Sequence, residues 1–162
     1  MQDSNRVDME ERYKNWMKAL IWSMVIAISV GKELAGESYL EKLEEAFYDY
    51  GVRCTGYWTE LTGVKETEPD CVALGKIMDA VDDSFANWWD GYVENTPKAF
   101  EKHVVNCPIA ETAKWAPEYC ERIVPATLRG ILQTLNSKAT ITFDQFMSRG
   151  DKTCHYRIET KD

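Results

Sequence analysis

A chain of 162 residues, 44% of them hydrophobic, with six tryptophans and eight tyrosines, has the size and apolar content for one domain with its own core. Its formal net charge of -8 argues against nucleic acid or an anionic membrane surface as partner, because both demand clustered Lys and Arg. Five cysteines behind a polar, acidic opening, MQDSNRVDMEER, fit a reducing cytoplasm, where thiols serve packing, metal binding or catalysis before disulfides.

The single domain, 1–162, divides into a helical part, about 1–84, and a strand-helix-strand part, about 85–162. From 4 to 34 the apolar residues Tyr13, Trp16, Met17, Leu20, Met24 and Ile28 fall at helical spacing. Asp3 or Ser4 suits the N-cap, and Gly31 and Gly36 suit the end. The apolar run within it, residues 20–30, is shorter than the ~20 residues a membrane span needs, so it reads as a largely buried helix. A second helix is predicted over 38–50, with Leu40, Leu43, Phe47 and Tyr50 on one face and Gly51 as its stop. Residues 57–61 continue it or begin another turn. Pro69 opens a third helix through 84, carrying Val72, Leu74, Ile77, Met78 and Val81.

The period then changes. Residues 86–94 and 99–106 read as strands joined by Asn95-Thr96-Pro97-Lys98, which is good turn chemistry. Pro108 fits the first position of a short helix, and a longer helix follows over 117–135, kinked or split at Pro125. A second hairpin closes the chain, with strands 140–147 and 153–159 around the turn 148–152. Helices gathered before and between two antiparallel hairpins predict an α+β domain, the hairpins forming a sheet packed against the helices.

Cys107 is the leading candidate for chemistry. A thiol at a helix N-terminus feels the positive end of the dipole and free amide hydrogens, which favour the nucleophilic thiolate. Glu111, one helical turn later, is placed to move protons. His103 shares a strand face with Cys107 but lies roughly 13 Å away at ~3.3 Å per residue, too far for a base. Strand alternation turns Cys154, Tyr156 and Ile158 inward and His155 outward. Cys120 belongs to an apolar helical stripe with Ile123, Val124, Thr127 and Ile131, so Cys120 and Cys154 can meet between the layers. With Cys107 they could assist as thiols, supply three ligands of an open zinc site, or simply pack. Cys54 and Cys71 carry no partner pattern. The dense tryptophans serve mostly as core, and some could wall a pocket for a small planar ligand.

The ordered segments Cys107-Pro108-Ile109-Ala110-Glu111, Glu118-Tyr119-Cys120-Glu121 and Ser148-Arg149-Gly150-Asp151-Lys152-Thr153-Cys154-His155-Tyr156-Arg157 resemble the L-2-amino-thiazoline-4-carboxylic acid hydrolase family over about 88–159. The resemblance implies hydrolytic opening of a cyclic amidine-like ring and raises the weight on Cys107. The terminal hairpin also resembles vinyl-reductase-type sensor domains, which bind small ligands and carry a structural zinc. Cys120 and Cys154 match the spacing of that family's outer zinc cysteines, but Phe143 and Phe146 stand where its two intervening ligands would be.

Two functional expectations follow. One is a cytoplasmic, cysteine-dependent hydrolase of a C–N bond in a small heterocycle, with Cys107 as nucleophile and Glu111 as proton shuttle. It needs no cofactor on the thiolate reading, and zinc on the metal-assisted one. The other is a non-catalytic, sensor-type module that binds a small molecule, with or without a metal. Either is compatible with a homo-oligomer formed through the aromatic helical surface.

Overall fold

The computed structural model describes residues 9–85 and 87–161 of the chain, an α+β fold. Helix α1 (Met9–Ala35) meets α2 (Glu37–Thr62) at Gly36, whose φ of 62° is the left-handed turn that separates them. The proposed caps Asp3 and Ser4 lie outside the described residues. The predicted stop at Gly51 does not occur. α2 runs through Gly51 and Gly56 to Gly63, where a left-handed cap (φ 71°) donates its N–H to the Thr59 carbonyl at 2.9 Å.

Packing explains why Gly51 continues the helix. α2 crosses α5 (Val124–Leu135) so closely that a Cβ on Gly51 would sit 2.1 Å from the Thr127 carbonyl oxygen. One on Gly130 would sit 2.2 Å from the Tyr48 carbonyl oxygen. Two glycines therefore let two backbones touch, and that interface outweighs a propensity loss of about 1 kcal/mol per glycine.

Helix α3 (Cys71–Ser84) starts at Asp70, whose carboxylate accepts the Ala73 N–H at 3.0 Å, with Pro69 just outside. The strands are β1 (Trp88–Asn95), β2 (Ala99–Asn106), β3 (Ala139–Gln145) and β4 (Cys154–Thr160). Both predicted hairpins form, and they join through antiparallel β2–β4 pairing to give the order β1-β2-β4-β3. The turn of the second hairpin is longer than predicted, because a 3-10 turn (Met147–Arg149) and Gly150 (φ 99°) precede β4.

Pro108 does not open a helix. Cys107 and Pro108 lie in a turn, and the four-residue α4 (Ala110–Ala113) begins later. The expected break at Pro125 is present. A π-helical turn (Tyr119–Ile123) passes into α5, because proline has no N–H with which to continue one regular ladder.

The inner face of the sheet packs against α3 and α5. Phe100, Val104, Tyr156 and Ile158 join Leu74, Ile77, Met78, Leu128, Ile131 and Leu132 in the main core. Lys102 lies on that same face and is 0% exposed. Its ammonium contacts Asp79 at 2.7 Å and Asp82 at 2.8 Å, both on α3, and lies 3.8 Å from the centre of the Trp89 ring. A second cluster joins Ile21, Val25 and Ile28 of α1 to Leu40, Tyr119 and Ile123.

The helix crossing gives a direct test. Gly130→Ala should destabilise the protein by about 1–3 kcal/mol in urea unfolding, since the added methyl meets backbone that cannot move aside. Gly56→Ala, on the same helix with nothing within 4 Å, should instead stabilise by about 0.5–1 kcal/mol.

Candidate functional site

The helices and the sheet leave a cavity of about 190 Å³ between them. From α2 it receives Phe47, Tyr50, Cys54 and Trp58, and from α3 Met78, Val81 and Asp82. The π-turn and α5 contribute Tyr119, Cys120, Ile123, Val124, Thr127, Leu128 and Ile131. The sheet side adds Val104, Phe143, Cys154 and Tyr156, and Phe146 follows β3. The stripe read from the sequence around Cys120 is therefore one wall. Phe143 and Phe146 stack at 5.8 Å with an interplanar angle of 18°, so they make an aromatic wall where a sensor-type zinc site would need ligands.

One end of the cavity is polar. Asp82 accepts from Tyr156 Oη at 3.0 Å, from Asn87 Nδ2 at 2.9 Å and from Lys102 Nζ. Tyr92 donates to Asp79 at 2.7 Å, and the phenol is pushed up to about 12, first by that hydrogen bond and then by burial. Burial, reinforced by Asp82, holds the Tyr156 phenol neutral. Asn87 Oδ1 and Trp58 Nε1, both on cavity-lining residues, are buried and have no hydrogen-bond partner. Such groups cost about 1–3 kcal/mol each while unsatisfied, and the Trp58 indole has the Cys54 thiol beside it as a weak partner.

The structure brings Cys107, Cys120 and Cys154 to this one cavity together with Cys54, which carries no partner pattern along the chain. Helical spacing held the missing signal: Phe47, Tyr50, Cys54 and Trp58 form one stripe once α2 is allowed past Gly51. Cys71 is apart, fully buried near Thr160. Burial works against the activation expected of Cys107. Desolvation pushes its thiol up to about 11, and the opposing amides of Ile109 and Ala110 are too few to offset it. Cys120 is pushed up to about 12 by burial first and by the neighbouring Cys107 second. Cys154 accepts the Met147 N–H at 3.3 Å, yet burial raises it too.

Glu111 is not at the cavity. Its side chain is 85% exposed and pairs with Lys114 at 2.6 Å, because the short α4 turns it to solvent. Among the described residues no group of three His, Cys, Asp or Glu side chains is arranged to hold a metal, so the geometry gives the zinc alternative for the three thiols no support. The histidines lie on the sheet's other face, stacked on each other at 4.3 Å. There His103 Nδ1 meets Thr153 Oγ1 at 3.1 Å, and His155 sits between Asp144 and Glu101. His155 points away from the core as read, but its neighbours cover most of it.

No protein-family model matches this chain, and no curated protein does either. Solved structures do. A trafficking protein particle complex subunit 3 from Naegleria fowleri, covalently bound to palmitic acid, superposes with a TM-score of 0.62 at 13% identity, covering 90% of this chain and 97% of that one. The phenol-responsive sensory domain of the transcription activator PoxR, with phenol, gives 0.59 at 9% identity, covering 86% of this chain and 74% of that one. Both likenesses are of fold. They support the sensor-domain resemblance at that level, while the thiazoline hydrolase resemblance rests on the quoted motifs alone.

The buried thiols make stability depend on pH in a defined sense. Their folded-state values lie above the ordinary thiol value of 9.0, so their contribution is fully present below about pH 9 and is lost as pH rises toward 11 and 12. Unfolding free energy should fall across that window, and Cys107→Ala should flatten the fall. At pH 8 iodoacetamide should label Cys107 and Cys120 far more slowly in the native protein than in urea.

Proposed function

We propose that this chain is a small-molecule binding module whose cavity takes a neutral, mostly apolar ligand about the size of one substituted aromatic ring. The carrying observation is the apolar cavity of about 190 Å³ whose lining gathers its polar groups around Asp82, with Tyr156 and Asn87 hydrogen-bonded to that carboxylate. An apolar cavity of about 150 Å³ is enough to hold benzene, so this one has room for a ring with a small polar substituent. A phenolic or anilinic group could hydrogen-bond beside Asp82 and Tyr156 and recover part of its desolvation cost. The two fold neighbours carry phenol and palmitic acid, which supports the reading that this architecture accommodates apolar molecules.

The hydrolase reading is less well supported. Thiols raised to about 11 and 12 supply almost no thiolate at neutral pH, and Glu111 lies in solvent. Among the described residues Asp82 is the only carboxylate on the wall, and a carboxylate substrate entering an apolar cavity beside it would be repelled and desolvated together.

Thermal shift and calorimetry with phenol, cresols, aniline, benzoate and L-2-amino-thiazoline-4-carboxylate test the proposal. The neutral rings should bind and benzoate should not. At a ligand concentration a hundred times Kd, stabilisation should approach about 2.7 kcal/mol. Val104→Phe, which fills the cavity from β2, should abolish binding while the protein remains folded. Absence of binding across the panel would sink the proposal, and Cys107-dependent turnover of the thiazoline would replace it with the hydrolase.

A further inference from the structure

The buried side of α1 is set by Met17, Ile21, Val25 and Ile28, but its outer side is also apolar. Met9 (75% exposed), Trp16 (61%), Val30 (48%) and Leu34 (82%) stand in solvent with Leu20, and Tyr13 is partly exposed beside them while its hydroxyl donates to the Ser84 carbonyl. With Ser23 and Ala27, also exposed, they fill positions 9, 13, 16, 20, 23, 27, 30 and 34 without a gap. The steps alternate between four and three, which is the seam of a left-handed coiled coil. At ~1.5 Å per residue it extends for about 40 Å. An apolar stripe of that length, interrupted only by Ser23, is unusual on the surface of a lone monomer. No helix of the described chain is long and apolar enough to cross a membrane, so a bilayer span does not account for it.

We propose that this seam is the interface with a second copy of the chain, the two α1 helices packing antiparallel about a two-fold axis between Ile21 and Trp22. The sequence of the seam is complementary to its own reverse. In that register Trp16 faces Ala27 of the second copy, Tyr13 faces Val30, Leu20 faces Ser23 and Met9 faces Leu34. Large side chains meet small ones in the middle layers, as a filled helix interface requires. The flanking positions agree. Arg12 and Glu33, both exposed, flank the seam on one side and come together at each end of the pair, with Ala19 and Ile26 between them. Opposite charges at such flanking positions fix helix orientation. A parallel pair would set Trp16 against Trp16 and leave Arg12 and Glu33 at opposite ends. An isologous dimer of this kind uses one patch twice and closes on itself. The proposal rests on the outer face of α1 and is independent of what the cavity binds.

Sedimentation velocity on the full chain, over a wide concentration range, tests it. The protein should be a concentration-dependent dimer, and Leu20→Glu should be a monomer with an unchanged circular dichroism spectrum. Arg12→Glu and Glu33→Arg should each weaken the dimer about tenfold at low salt, by placing like charges at both ends. The double reversal should restore it. A monomer at every concentration up to the millimolar range overturns the proposal. A dimer that survives Leu20→Glu places the interface elsewhere, and a double reversal no tighter than either single variant excludes this register.

Discussion

Lys102 is the constraint on which the architecture depends. A lysine with no exposed surface is costly to bury, and it persists only where opposite charge and hydrogen bonds replace the water it has lost. Asp79 and Asp82 supply both, one turn apart on α3, and the Trp89 ring covers the ammonium from β1. Because the lysine is on β2 and the carboxylates are on α3, the network sets how α3 lies on the sheet. Tyr156 enters from β4 and Tyr92 from β1, so three strands are tied to one helix. The same arrangement holds Asp82 at the cavity wall and so determines where the polar end of an otherwise apolar space lies.

At Cys107 two opposing effects act on one thiol. Amide hydrogens and a helix start lower a thiol's pKa, and removal from water raises it. Here the helix is four residues long and offers little field, while Cys107 packs beside both core clusters. Desolvation wins. The consequence reaches the whole cavity, because four neutral thiols behave as small polarizable apolar groups and make its surface soft. The site is thus better matched to shape and apolar contact than to nucleophilic attack.

The close crossing at Gly51 and Gly130 and the π-turn before Pro125 serve the same space. The crossing brings α2 against α5, so that Cys54 and Trp58 can face Thr127 and Ile131 across the cavity. The π-turn carries Tyr119, Cys120 and Ile123 to the wall. α1 stands outside this arrangement: it spends one face on the second core cluster and keeps an apolar stripe outward.

Local chemistry determined much of this protein from the sequence alone. Alternation in β4 turned Tyr156 and Ile158 inward, proline placed the break in the last long helix, and turn residues set both hairpins, because each depends on neighbours within a few residues. Strand parity in β2 carries a further signal, since Phe100, Lys102 and Val104 share one face and two of them are plainly core. Other features were decided only by tertiary contact. Gly51 reads as a stop until α5 is laid across it, and Cys107 reads as an activated thiol until the core takes its water away. Glu111 reads as its partner until the chain turns it to solvent. Propensity and periodicity act along the chain, whereas desolvation, close backbone approach and the pairing of Lys102 with α3 act between segments that meet only in the folded protein.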